Sequence, residues 1–104
     1  MLSNVYFLKK YQKEIDYMKR QTPSGTYVYE IKTKYHLFKK RSNSNYNYIV
    51  IAENKEKILD RKFSNSMDNA IRYRNNFVNI FNVRYKDEYP GTEVTIFNTS
   101  AKIQ

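Results

Sequence analysis

Three observations predict an α+β fold, in which a small antiparallel sheet of three to five strands packs against one amphipathic helix and an additional helix stands at the N-terminus. Residues 26–63 hold alternating or continuous apolar runs divided by polar turns. Residues 66–83 follow a serine- and asparagine-rich lead-in and carry apolar residues at helical spacing, and residues 1–21 show the same spacing on their own. A chain of 104 residues supports one modest core, so residues 1–104 are read as a single domain.

From the N-terminus, Val5, Leu8, Tyr11, Ile15 and Met18 recur at steps of three and four, with Ser3 placed to cap the helix. Asp16 and Arg20 stand four apart with the acid first, which supports a helix over 1–21. Thr22-Pro-Ser-Gly25 is a turn. Thr26 to Lys34 alternates Tyr27, Tyr29, Ile31 and Thr33 with more polar neighbours and reads as a strand, which continues extended and basic from Tyr35 to Arg41. Ser42 to Asn45 is a polar turn. Tyr46 to Glu53 is the strongest strand; its run Tyr48-Ile-Val-Ile51 is apolar throughout and leaves open which face is buried. Asn54-Lys55 turns the chain into a third strand, Lys57 to Phe63.

Ser64, Asn65 or Ser66 can cap the packing helix over 66–83, and Asp68 suits the positive end of its dipole. Met67, Ala70, Ile71, Phe77, Val78 and Phe81 form its expected apolar face. That face should bury Phe63, Ala70 and Phe77 between sheet and helix. Pro90-Gly91 is a turn, and residues 92–97 are a possible edge strand.

The formal net charge of +9 is uneven. Residues 1–52 hold 10 lysines and arginines against 3 acids, and residues 53–104 hold 9 against 7, so the front half carries +7 and the back half +2. Such a surface attracts phosphates or acidic protein surfaces. The abundance of Lys, Asn, Ile, Tyr and Phe is what AT-rich codons produce and fits a low-GC bacterium, or a phage or mobile element living in one. Part of the basicity therefore reflects base composition, an argument that applies less to Arg41, Arg61, Arg72, Arg74 and Arg84.

The order of three strands followed by a helix resembles the APETALA-type or ethylene-response-factor DNA-binding domain, with its bacterial and phage relatives the nearer comparison. Phe63 stands where that family's third strand ends, Ser64 and Asn65 follow as its small polar residues, and Asp68, Ala70, Ile71 and Arg74 match the opening of its helix. The likeness spans about residues 35–81. Where the family carries Leu-Gly ahead of the phenylalanine this chain has Asp60-Arg61, and Tyr46 or Tyr48 stands nearest its strand tryptophan. The resemblance implies that the sheet lies in the major groove of duplex DNA with the helix on its far side, a geometry the groove permits. The expected nucleic-acid contacts are then Lys39, Lys40 and Arg41, Tyr46 and Tyr48, and Lys57, Arg61 and Lys62, combining phosphate neutralisation, guanidinium forks and tyrosine packing.

Catalytic chemistry has no sequence support. His36 is the one histidine and there is no cysteine, so neither a thiolate metal site nor a disulfide is expected, and the default compartment is the cytoplasm of a bacterial host. Glu14 with Asp16 and Asp87 with Glu88 lack an adjacent nucleophile, and two glycines cannot build a phosphate cradle. No cofactor and no enzymatic activity are expected. The leading expectation is a small basic protein of a phage or mobile element that binds duplex DNA. The alternative is an interaction protein that inhibits a host defence, in the manner of an anti-CRISPR protein, by attaching to a nuclease or its nucleoprotein complex.

Overall fold

A computed structural model describes residues 17–99, with side-chain environments from Lys19 onward. The chain divides between Ser44 and Asn45 into two compact units. Each contains a three-stranded antiparallel sheet, so the strands expected in one sheet are shared between two.

The first unit orders its strands β1-β2-β3, with β1 at Tyr17–Gln21, β2 at Tyr27–Lys32 and β3 at Leu37–Ser42. The last five residues of the expected N-terminal helix are therefore a strand, and the rest of that helix lies outside the described residues. Tyr17–Gln21 pairs along its whole length with β2, and this ladder takes up the backbone groups facing β2 that a helix would otherwise have paired internally. The β1–β2 turn follows its sequence signature: the Gly25 amide donates to the Thr22 carbonyl at 2.9 Å, and Gly25 takes a φ of 93° that a glycine adopts without strain.

The expected continuous extension from Thr26 to Arg41 is broken into β2 and β3. Thr33 makes the break, because its hydroxyl accepts from the His36 amide and donates to the His36 carbonyl, each at 2.9 Å, while its own amide reaches that carbonyl at 2.9 Å. A threonine hydroxyl here does what glycine or asparagine does in commoner turns. Tyr29, Ile31 and Phe38 are buried on one side of this sheet, and the Tyr29 hydroxyl donates to the Ser44 carbonyl at 2.9 Å.

The second unit orders its strands β5-β4-β6: β4 is Tyr48–Glu53, β5 is Ile58–Ser64 and β6 is Glu93–Asn98. The edge strand expected at 92–97 is thus present, displaced by one residue and paired to the central strand. The three strands that the resemblance groups between Tyr35 and Phe63 are divided, since β3 belongs to the first sheet and β4 and β5 to the second. The unbroken apolar run of β4 has a direct cause: Val50 and Ala52 face the helix, while Ile49 and Ile51 on the other side are equally buried. Asn54 closes the β4–β5 turn, its Oδ1 accepting from the amides of Glu56 and Lys57 at 2.9 and 3.0 Å. A bulge near Ala52 and Glu53 turns Leu59 into the helix-side core.

The helix α1 spans Met67–Phe77 and continues as a π-helical segment, Val78–Arg84. Ser66 is its cap, accepting from the Asn69 amide at 3.3 Å; Ser64 braces the cap through the backbone of Ser66, and Asn65 accepts from the Asn47 amide at 2.8 Å. The buried face is narrower than the expected apolar face: Ala70, Phe77 and Phe81 are buried with Tyr73 and Ile80 packed beside them, whereas Met67 and Val78 are exposed. Phe63 is corrected too. It lies opposite Ile49 on the side away from the helix, half-buried, with its ring 5.2 Å from that of Tyr46. Among the described residues no helix is long and apolar enough to cross a membrane.

Candidate nucleic-acid interface

The antiparallel register decides which charges of the first unit share a side. Lys19, Tyr29 and Lys40 are aligned across the three strands on the side that buries Ile31 and Phe38. One residue along, Arg20, Val28 and Arg41 are aligned on the opposite side, and the same alternation adds Lys32, Lys39 and Glu30 to it. Arg20, Lys32, Lys39 and Arg41 are all exposed. The open side therefore presents four cations and one acid.

Its ion pairing is slight. Lys39 approaches Glu30 at 3.8 Å, with the lysine side chain 63% exposed, so water screens the pair heavily. The side chains of Arg20, Lys32 and Arg41 make no hydrogen bond or ion pair among the described residues. Neighbouring strands lie about 4.8 Å apart, which puts the backbones of β1 and β3 roughly 10 Å apart across β2. The small, 6% exposed Val28 thus lies between two guanidinium groups carried on the outer strands. This surface suits an extended polyanion rather than one small anion.

Among the described residues, the perturbed acidity lies on the buried side of the same sheet. Desolvation lowers the pKa of Lys19 from the usual lysine value, and its Nζ lies 5.5 Å from the centroid of the Tyr29 ring. Lys19 belongs to the packing of the sheet, not to its open surface.

The eight residues expected to form one surface are distributed. Lys39 and Arg41 share the open side of the first sheet, and Lys40 alternates to the other side. The remaining five belong to the second unit. Tyr46 precedes β4 and packs on Phe63, and Tyr48 is half-buried beside the helix-side core. Lys57 is exposed at the end of the β4–β5 turn. Arg61 alternates to the side away from the helix, opposite Ile51, and Lys62 points to the helix side with its Nζ 5.6 Å from the Tyr73 ring. The centre of the sheet side away from the helix, where the resemblance places groove contacts, is occupied by Ile49, Ile51 and Glu53, at most 1% exposed.

Arg20 and Lys32 are the two cations that sequence reasoning left out of the surface. Lys32 is legible as sharing a strand side with Glu30, but its place beside Lys39 and Arg41 requires the turn at Thr33. Arg20 sat within an apparent helix, and nothing local marked it as a strand residue.

Among the described residues no group of three or more histidines and acids is placed to hold a metal ion. Compared with known proteins, the chain matches no family model, no curated protein and no solved structure.

Proposed function

We propose that this chain is a small nucleic-acid-binding protein that binds duplex DNA through the open side of the β1–β3 sheet. The observation that carries the reading is the alignment of Arg20, Lys32, Lys39 and Arg41 on one exposed side with Glu30 the only acid among them. The described part of the first unit holds seven lysines and arginines against that one acid, whereas the described part of the second holds eight against seven. Among the described residues the attraction therefore belongs to the first sheet rather than to the second unit.

The same alternation favours a duplex over a single strand. Proteins that hold single strands stack bases on exposed aromatic rings, a contribution of about 1–3 kcal/mol per base. Here the rings of Tyr29 and Phe38 are buried on the opposite side, and the apolar residues of β2 and β3 on the open side are the buried Val28 and the exposed Leu37, neither of them aromatic. What is left to contact is the sugar–phosphate backbone, whose charge density is greatest in a duplex. Competition between a fluorescent duplex and unlabelled single strands of equal length tests the reading. The duplex should be displaced poorly by its separated strands; preferential binding of the single strand would overturn the assignment.

A further inference from the structure

The helix of the second unit has an outer face that its packing role does not explain. Ala70, Tyr73 and Phe77 turn toward the sheet, which leaves Arg72, Asn75, Asn76 and Asn79, at the i, i+3, i+4, i+7 spacing of one helix face, exposed on the other side. The side chains of Arg72, Asn76 and Asn79 make no hydrogen bond or ion pair among the described residues, and the Asn75 side chain accepts only from its neighbour Arg74, at 3.3 Å. Asp68, one turn earlier, complements the positive end of the helix.

AT-rich codons supply asparagine and lysine alike, so neither base composition nor helix formation explains why arginine and asparagine stand on this helix in place of lysine. Lysine is the better helix former, its codons are as AT-rich as those of asparagine, and the chain contains thirteen lysines to six arginines. Yet no lysine occurs between Phe63 and Tyr85, where three arginines and six asparagines stand instead. Asparagine costs helix stability at exposed positions because its side chain competes for the backbone. What arginine and asparagine have in common, and lysine lacks, is a planar fork of hydrogen-bonding atoms. Those forks are the bidentate partners of guanine and adenine edges in the major groove.

We infer that the outer face of α1 and of the π-helical turn that continues it, through Arg72, Asn75 and Asn76 on α1 and Asn79 just beyond it, reads base edges in the major groove of duplex DNA and gives this protein a sequence preference. The groove is about 12 Å wide and admits a helix, and an eleven-residue α1 is roughly 16 Å long at about 1.5 Å per residue. The inference rests on the duplex-binding reading above, which supplies affinity without sequence information.

Selection from a pool of duplexes with a randomised core tests it. The wild-type protein should enrich a motif containing guanine and adenine. Arg72→Ala/Asn75→Ala/Asn76→Ala/Asn79→Ala should still bind the unselected pool but enrich no motif, and its thermal stability should rise, since alanine favours an exposed helix. Arg72→Lys keeps the charge but loses the fork, and should weaken binding to the selected duplex roughly 5- to 150-fold while leaving the unselected pool nearly unaffected. Duplex binding by the wild type without an enriched motif, or the same motif from the fourfold variant, would overturn the inference and leave the sheet reading intact. Absence of any duplex binding would overturn both.

Discussion

Lys19 and Tyr29 stand directly opposite each other on β1 and β2, and the lysine Nζ lies 5.5 Å from the centre of the tyrosine ring. The lysine side chain is fully buried, and the ring face offers the ammonium a partial substitute for water. Burial nevertheless favours the neutral amine and lowers its pKa.

A pH dependence follows from that direction. Below the lowered pKa, Lys19 is charged in both states and its desolvation cost is fully present. Between the lowered pKa and the ordinary value of 10.5 the unfolded chain binds more protons, so this residue's contribution to stability rises with pH. Lys19→Met removes the titration. Urea unfolding of both proteins at several alkaline pH values should show the variant's advantage shrinking as pH approaches 10.5; a constant difference would mean that burial leaves the lysine unshifted.

Phe77 tests the helix packing. Its ring is 2% exposed and 6.0 Å from that of Phe81, which in turn meets Tyr89 edge-on at 5.2 Å. Phe77→Ala should cost about 3–5 kcal/mol, read from urea unfolding, whereas Phe63→Ala should cost less because Phe63 is only half-buried against Tyr46. Equal costs would show that Phe63 is packed as tightly as the helix core and contradict its half-buried position.

Gly91 isolates a backbone effect. It has a φ of 72°, and a Cβ added there would meet nothing within 4 Å, so space is not the constraint. Gly91→Ala should destabilise by about 1–2 kcal/mol through the left-handed backbone alone, and Gly91→Asn by less. No loss from the alanine variant in a thermal melt would show that the turn relaxes to a negative φ.

The sequence revealed its elements better than their partners. The β4 run Tyr48-Ile-Val-Ile51 marked a strand, and its unbroken apolarity is what two buried sides require. Ser66 was legible as a cap, and Thr22-Pro-Ser-Gly25 as a turn. The break at Thr33 was hidden because Thr-Lys-Tyr-His has no glycine, proline or asparagine and depends on one hydroxyl bridging to His36. Tyr17–Gln21 was misread because Tyr11, Ile15 and Met18 keep helical spacing, while the pairing that makes those five residues a strand comes from β2. Tyr73 packs against the helix-side core although the expected apolar face passed from Ile71 to Phe77 without it. The surface was legible as charge but not as a face, since Lys39 and Arg41 acquire Arg20 and Lys32 as companions only through the register of β2.

The salt dependence of duplex binding tests the central claim most directly. The wild-type protein should lose affinity steeply as salt rises. Arg20→Ala/Lys32→Ala/Lys39→Ala/Arg41→Ala should reduce the log–log slope by roughly three to four units, at about 0.9 per lost phosphate contact. The matched variant of the second unit, Lys55→Ala/Lys57→Ala/Arg84→Ala/Lys86→Ala, removes the same charge and should change the slope by about one unit or less. Equal reductions in the two variants would contradict the account, because binding would then follow net charge and not the open side of the first sheet.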